Sequence, residues 1–216
     1  RFAAEVGARV VVCHSGNVDI PKLSFELTRL AARGEQFSAP YENLKLKAQL
    51  ARDKKAPRQI GYLTESLQQL LPVIQETGVR LALENLPTWE AIPTELEAEK
   101  LMKQFYAAGV SLWWDIGHAQ IRENLGFINA SRWLQRLEPY IAGMHIHDVL
   151  PPGQDHVMPP RGKVDFPALA KIAGMDMVRV LEPAPNTETA HIVQAIAYLR
   201  ETWNLPDVNT TSGETT

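Results

Sequence analysis

Short apolar segments alternate with amphipathic ones along most of the chain, and this alternation constrains the fold more than any other feature. The short segments, such as VVVC, VRLALEN and VSLWWD, are rich in β-branched and other large apolar residues, as is typical of buried parallel strands. Helical patterns follow them, and strand–loop–helix units in tandem predict a parallel α/β fold. The predicted strands are residues 10–13, 79–85, 110–115, 141–148 and 177–183.

The connection between the first two strands is long and mostly helical. Residues 21–55 have a charged helical pattern, which Gly34 and Pro40 divide into two predicted helices. A further helix is predicted over residues 60–77, and Pro72 within it predicts a kink or a break.

The connections that follow the later strands carry much of the polar sequence. Residues 116–126 and 149–165 are interpreted as long loops. No Gly-rich phosphate-binding turn follows the first strand, so a Rossmann fold lacks its main sequence support. Long loops after parallel strands, with polar side chains at the strand ends, are the layout of a (β/α)₈ TIM barrel, whose chemistry lies at that face.

The five predicted strands are fewer than the eight of a closed barrel. Since one strand–helix unit takes about 30 residues, the shortfall corresponds either to about three units before residue 1 or to an open variant of the fold. We favour the first interpretation, and expect residues 1–204 to be the C-terminal five βα units of a single barrel domain. Residues 205–216 are small and polar with no apolar face, and a disordered tail is expected there.

The composition narrows the class of protein. An apolar fraction of 45% is ordinary for a globular protein with a substantial core. A net charge of −3 argues against a protein that mainly grips phosphate backbones, although a local basic groove is compatible with it. The single cysteine, Cys13, provides no internal disulfide, and the sequence has neither an apolar run of membrane-spanning length nor a signal-like start. We therefore expect a cytoplasmic protein without membrane or nucleic-acid partners.

Each predicted strand delivers a side chain that can bind a metal ion at its carboxyl end. These side chains are His14, Glu84, Asp115, His145 and Glu182. A single residue of this kind more often caps a loop or pairs with arginine, but a full series at equivalent positions favours a shared site. Glu84 and Glu182 end apolar strands, where a carboxylate is costly without a cation. Carboxylates with imidazole suit one divalent ion, Mn²⁺, Co²⁺, Mg²⁺ or Zn²⁺, and the sequence does not choose among them.

Three of the six histidines lie in the segment GMHIHDVLPPGQDH, residues 143–156. His145 and His147 are two apart on a strand, so both point to one face. We assign His145 as the metal ligand. His147 either supports the site or contacts substrate, or it is a buried histidine satisfied by a carboxylate. His156 lies in the long loop, where it either reaches over the site or is a solvated loop residue.

Ordered motifs in the chain resemble those of a known superfamily. ALENLP, WDIGHA, HIHD, DHVMPPRGKVDF and VLEP, in this order and spacing, resemble the sugar phosphate isomerase/epimerase family of xylose-isomerase-like TIM barrels, a superfamily that also contains endonuclease IV. The resemblance covers roughly residues 1–200. It implies one catalytic divalent metal ion, bound by Glu84, Asp115, His145 and Glu182. It also implies that Glu84 and Glu182 transfer protons on either face of the substrate.

The resemblance also implies roles for the other histidines. His118, from the DIGH motif, contacts substrate oxygens in the epimerases, whereas its counterpart in endonuclease IV binds an additional zinc ion together with a match to His156. Endonuclease IV also uses a histidine at the position that matches His14. The chain departs from the endonuclease pattern, because Gln154 is a poor zinc ligand where that enzyme has an aspartate. The usual Gly-x-Gly after the loop histidine is also replaced, by residues 160–162.

We therefore predict a divalent-metal-dependent isomerase or epimerase of a keto sugar or related polyol, which transfers protons through an enediolate. Trp113 and Trp114 point to opposite faces of their strand, so one ring is assigned to the core and Trp114 to a sugar ring. The predicted substrate contacts are His14, His118, His147, His156 and Trp114, and the predicted ligands of a second metal ion are His118 and His156.

Alternative functions fit the same scaffold. One is a metal-dependent phosphodiesterase or abasic-site endonuclease, and another is a sugar-binding barrel without activity. The oligomeric state is open, because the charged helical faces suit either a homo-oligomer interface or solvent.

Overall fold

The structure is a computed structural model that describes residues 1–205. Its strands are β1 (Val10–Cys13), β2 (Arg80–Glu84), β3 (Val110–Asp115), β4 (Ile141–Ile146), β5 (Asp148–Leu150), β6 (Gln154–Val157) and β7 (Val178–Leu181). A single parallel sheet has the order β1-β2-β3-β4-β7, and β5 pairs antiparallel with β6. The predicted parallel α/β architecture is confirmed. The described residues supply five parallel strands of the eight in a closed barrel.

Helices connect the successive strands. They are α1 (Phe2–Glu5), α2 (Leu23–Ala32), α3 (Ala39–Thr77), α4 (Glu95–Phe105), α5 (Ile116–Asn124), α6 (Ala130–Leu137), α7 (Ala170–Ala173) and α8 (Thr189–Trp203). Short 3₁₀ turns occupy Tyr106–Ala108, Glu138–Tyr140 and Pro167–Leu169. Among residues 1–205, none of the helices combines the length and the apolar character that a membrane crossing requires. The predicted tail, residues 205–216, lies outside the described residues apart from Leu205.

Helix α3 is one continuous element of 39 residues, so the predicted division into separate helices near residues 55–60 is wrong. Pro57 and Pro72 both lie inside it, and neither ends it. Both prolines are exposed, so the carbonyl groups that lose their helical N–H partners lie on the solvent side. The helix ends at Thr77, where the sequence predicted its end, and Gly78 follows in the left-handed conformation.

Two segments that were interpreted as loops contain regular structure. Within residues 116–126, Ile116–Asn124 form helix α5, which begins directly after β3 because Asp115 caps it. The Asp115 Oδ1 atom accepts the His118 N–H at 2.7 Å. Residues 149–165 include most of the β5-β6 pair, and Asp148 accepts backbone N–H groups that hold this hairpin to the next loop. Such side-chain bonds to the backbone leave little trace in hydrophobic periodicity, which is why the sequence missed both elements.

The main hydrophobic core lies between the parallel sheet and the helices α3, α4, α6 and α8. Leu83, Leu112 and Met144 contribute to it from the strands. Trp114 also belongs to this core, with only 3% of its surface exposed. Its ring therefore has no face for a sugar, which corrects its assignment as a substrate contact. Trp113 points to the other side of the sheet, because successive strand residues alternate.

Candidate metal centre

Four side chains from separate parallel strands meet at the carboxyl edge of the sheet. Glu84 ends β2, Asp115 ends β3, His145 lies in β4 and Glu182 directly follows β7. The His145 Nδ1 atom lies 2.9 Å from Glu84 Oε1 and 3.4 Å from Glu182 Oε2. The same nitrogen is 3.7 Å from Asp115 Oδ2. The structure thus brings together the four residues to which the resemblance assigns one metal ion.

Two of the three carboxylates are almost fully buried, and within residues 1–205 none of the three pairs with a lysine or an arginine. Glu84 and Asp115 are 2% and 0% exposed, and Glu182 is more open, with 37% of its side chain exposed. Within residues 1–205, the ion pairs of these carboxylates are all with histidines. Three carboxylates beside one another need a cation. Oxygen donors with an imidazole fit a divalent ion of the Mn²⁺, Co²⁺, Mg²⁺ or Zn²⁺ type.

The distances among the donor atoms also suit a bound ion. One ligand atom from each of Asp115, His145 and Glu182 lies within 4.8 Å of the others. The same holds for Glu84, Asp115 and His118. Asp115 belongs to both groups, so the two sets of donors share one centre.

Asn85 fixes the end of β3, a role that the sequence reasoning missed. Its Nδ2 donates to the Asp115 carbonyl oxygen at 2.9 Å, and its Oδ1 accepts the Asp115 N–H at 2.8 Å. This pair of bonds continues the β2–β3 pairing beyond the last residue of β2. The position of Asn85, directly after Glu84, was the available signal, but the side chain's partner was not readable from the sequence.

His118 is oriented by the same residue. Its Nδ1 lies 2.9 Å from the backbone oxygen of Asn85. A carbonyl oxygen only accepts, so Nδ1 carries the proton and Nε2 is the free nitrogen. The ring is buried, and its Nδ1 is also 3.3 Å from Asp115 Oδ2.

The clustered groups shift one another's protonation. Burial raises the pKa of Asp115, but His118 and His147 outweigh it, so this pKa lies below its ordinary value. Burial alone would lower the pKa of His145, but the adjacent Glu84 carboxylate and the other acidic groups raise it above its ordinary value. For His118, burial prevails over Asp115 and lowers the pKa. For His147, burial likewise lowers the pKa, but its bond to the Asp115 carboxylate outweighs burial and raises the pKa above its ordinary value.

Three further histidines surround this centre at different depths. His14 is largely exposed, and its Nε2 lies 2.9 Å from Glu84 Oε2. His147 is 0% exposed and lies behind Asp115, with Nε2 3.0 Å from Oδ1. His156 stacks on His147 with ring centroids 4.3 Å apart, and its Nδ1 lies 3.9 Å from Glu182 Oε2.

Trp113, and not Trp114 as predicted, is the tryptophan that contacts the site. Its ring packs edge-on against His145, with centroids 5.1 Å apart. The ring lies over Gly143, where an added Cβ would overlap it. A small residue at position 143 therefore makes room for the aromatic ring beneath the carboxylates.

A family model described as the xylose isomerase-like TIM barrel matches residues 1–202. The chain belongs to this family. The predicted family is thereby confirmed, and the fold and the site agree with it, since such barrels place their chemistry at the carboxyl ends of the strands.

Solved structures of similar fold include several xylose isomerase-like barrels. A D-tagatose 3-epimerase-like protein is 18% identical, with a TM-score of 0.62 over 94% of this chain and 64% of that chain. The 3-keto-D-glucoside 4-epimerase of E. coli is 18% identical, with a TM-score of 0.58 over 92% of this chain and 66% of that one. The IOLI protein with a bound zinc atom is 18% identical, with a TM-score of 0.56 over 93% and 63%. The chain spans somewhat less than two thirds of the length of each of these proteins.

Proposed function

We propose that the protein is a divalent-metal-dependent isomerase or epimerase that acts on a keto sugar or a related polyol. The observation that carries the proposal is the convergence of three carboxylates and an imidazole from four strand ends, with no lysine or arginine partner among residues 1–205. One fold neighbour is named as an epimerase and another as an epimerase-like protein, and a third holds zinc, which supports a metal-dependent reaction of this class.

The proposed reaction moves a proton on the carbon beside a carbonyl group. It needs a base, an acid and a means of stabilising the negative charge of the enediolate. A divalent ion held by Glu84, Asp115, His145 and Glu182 supplies that stabilisation as a Lewis acid. The protein's own groups take and return the proton.

Glu84 and Glu182 are the proposed proton-transfer pair, and their surroundings differ. Glu182 is partly exposed, so its carboxylate can meet a substrate that enters from the open side of the sheet edge. Glu84 is almost fully buried between His145 and His14. Because His14 is itself largely exposed, it connects the buried Glu84 carboxylate with the solvent.

The proposed substrate contacts are the histidines on the open side of the centre. His14, beside Glu84, and His156, beside Glu182, both have accessible ring atoms. His118 is largely buried, and its ring, with Nε2 free of the bond to Asn85, has its centroid 6.2 Å from that of His156. His147 has no exposed surface and is therefore removed from the proposed substrate contacts.

The decisive experiment measures metal content and the exchange of the substrate proton with solvent. Protein purified without chelator is analysed for bound metal, then incubated in D₂O with a panel of keto sugars and Mn²⁺. We expect at least one divalent ion per chain, and deuterium on the carbon beside the carbonyl of at least one sugar. Treatment with chelator should stop the exchange, and added Mn²⁺ should restore it. Protein that holds no divalent ion and exchanges no proton on any sugar would refute the proposal.

A second candidate is a metal-dependent phosphodiesterase, and one observation favours it. Ligand atoms of His118, His147 and His156 lie within 4.8 Å of one another, beside the first centre. An additional ion bound there by His118 and His156, the predicted ligands of a second ion, would make a multinuclear site of the kind used for phosphate ester hydrolysis. Bound metal of two or more ions per chain, together with nicking of abasic-site DNA, would favour this function over the first.

A further inference from the structure

The imidazole of His147 is held by a bond at each nitrogen. Its Nε2 lies 3.0 Å from Asp115 Oδ1 and 3.2 Å from Oδ2. Its Nδ1 accepts the backbone N–H of His156 at 3.0 Å, a shorter contact than the 3.4 Å to the Asp148 carbonyl oxygen. Because a backbone N–H can only donate, Nδ1 carries the lone pair and the proton of the neutral ring is on Nε2.

We propose that His147 is a positioning residue, whose Nε2–H orients the Asp115 carboxylate within the metal centre. The inference rests on the metal-dependent function proposed above. Asp115 Oδ1 accepts the His118 N–H at 2.7 Å, and the hydrogen bond from His147 Nε2 goes to Oδ2 at 3.2 Å, so a donor holds each carboxylate oxygen. Oδ2, the oxygen that His147 contacts, also faces His145 Nδ1 at 3.7 Å. A group that orients a metal ligand in this way typically affects metal affinity although it does not touch the ion.

Gly117 provides the space in which this ring lies. A Cβ at position 117 would overlap the His147 imidazole, and would lie 2.8 Å from Nε2 even at the far side of the ring. Gly117 lies in helix α5 and has no positive φ, so the position requires glycine for space and not for backbone conformation. The DIGH motif therefore supplies both the metal-facing Asp115 and the gap for the residue that orients it.

His147 also holds His156 of β6, which in turn bonds to the segment that follows β7. The N–H of His156 bonds to His147, and its C=O accepts the Ala184 N–H at 3.2 Å. His156 has a φ of 53°, a left-handed conformation that is uncommon for a residue with a side chain. Both bonds thus hold it in place beside Glu182, and one of them depends on the His147 ring.

Metal affinity tests the inference through two independent changes. His147→Leu removes the donor, and Gly117→Ala keeps every polar group but displaces the ring. We expect both to weaken Mn²⁺ binding, measured by titration calorimetry on folded protein, by roughly 10–100-fold. His147→Gln retains an N–H donor and should bind more tightly than His147→Leu. Gly61→Ala is the matched control, since an added Cβ in α3 meets nothing within 4 Å.

A second measurement needs no metal and separates this inference from the function. Nitrogen NMR of the metal-free protein should show a proton on His147 Nε2, and an Nε2 without a proton would overturn the inference. Wild-type protein that binds Mn²⁺ no more tightly than Gly117→Ala and His147→Leu would overturn it as well, while leaving the proposed function intact. A wild-type protein that binds no divalent ion would refute both.

Discussion

Glu84 Oε1 and His145 Nδ1 lie 2.9 Å apart, although their strands, β2 and β4, are not neighbours in the sheet. β3 lies between them, and its last residue, Asp115, is only 3.7 Å from the same His145 nitrogen. In barrel-type sheets, inward side chains from alternate strands share a layer because the strands tilt. The contact is thus a direct consequence of the sheet geometry, and it concentrates ligands from separate parts of the chain.

Glu182 is the accessible carboxylate of this layer, and its removal should stop the proposed reaction. We expect Glu182→Gln to lower kcat by roughly 10²–10⁴-fold, because the amide neither takes a proton nor carries charge toward a cation. The melting temperature should change little, since the side chain is partly exposed. Glu188→Gln, the same change at an exposed position nearby, should retain full activity. A Glu182→Gln variant with wild-type turnover would contradict the role of this residue as base or ligand.

Asn85 should matter for stability as well as for metal binding. Asn85→Ala leaves the buried N–H and C=O groups of Asp115 without partners, and each unsatisfied group costs about 1–3 kcal/mol. We expect a decrease of about 2–4 kcal/mol in the free energy of unfolding, measured by urea denaturation, and weaker Mn²⁺ binding. Asn43→Ala, at an exposed position of α3, is the control and should have little effect. Equal stability of the two variants would show that the Asn85 bonds contribute nothing.

The strand ends could be predicted from the sequence because the information is local. Glu84 and Asp115 each follow a short apolar run, and parallel strands place their carboxyl ends along one edge. Trp113 could also have been assigned correctly. Since Asp115 points to the site, alternation along β3 places Trp113 on the same side and Trp114 on the core side.

Other features depend on contacts that the sequence does not display. The continuity of α3 through Pro57 depends on which side of the helix faces solvent, and that is a property of the packed molecule. The bonds of Asn85 to Asp115 join residues 30 positions apart. Likewise, the overlap between a Cβ at Gly117 and the His147 ring appears only when two strand ends and a helix are assembled.

Gly143 should be intolerant of a methyl group. An added Cβ would overlap the Trp113 ring and lie 2.7 Å from the Val178 carbonyl oxygen, so relief requires movement of both a large ring and a neighbouring strand. We expect Gly143→Ala to cost about 1–3 kcal/mol or more, and to weaken metal binding because Trp113 packs against His145. Gly61→Ala has free space, and should instead be neutral or stabilise its helix by roughly 0.5–1 kcal/mol. Thermal denaturation that ranks the two variants in the opposite order would contradict this packing argument.

Arg52 and Glu97 form a mostly buried ion pair away from the metal centre, and it should make stability depend on pH. Arg52 donates to both Glu97 oxygens at 2.7 Å. Burial raises the pKa of Glu97, but the bonds from Arg52 and Thr94 outweigh it and the pKa lies below its ordinary value. The stabilisation is therefore present above the pKa of about 4.3 that glutamate has in the unfolded chain, and it is lost as the pH falls through the lower pKa of the folded state.

We expect Glu97→Gln to be less stable than wild type near neutral pH, with a difference that shrinks on acidification to about pH 3. Urea denaturation at stepped pH measures this, with the exposed Glu65→Gln as control. A difference that is constant over that range would show that the charge of Glu97 does not stabilise the fold.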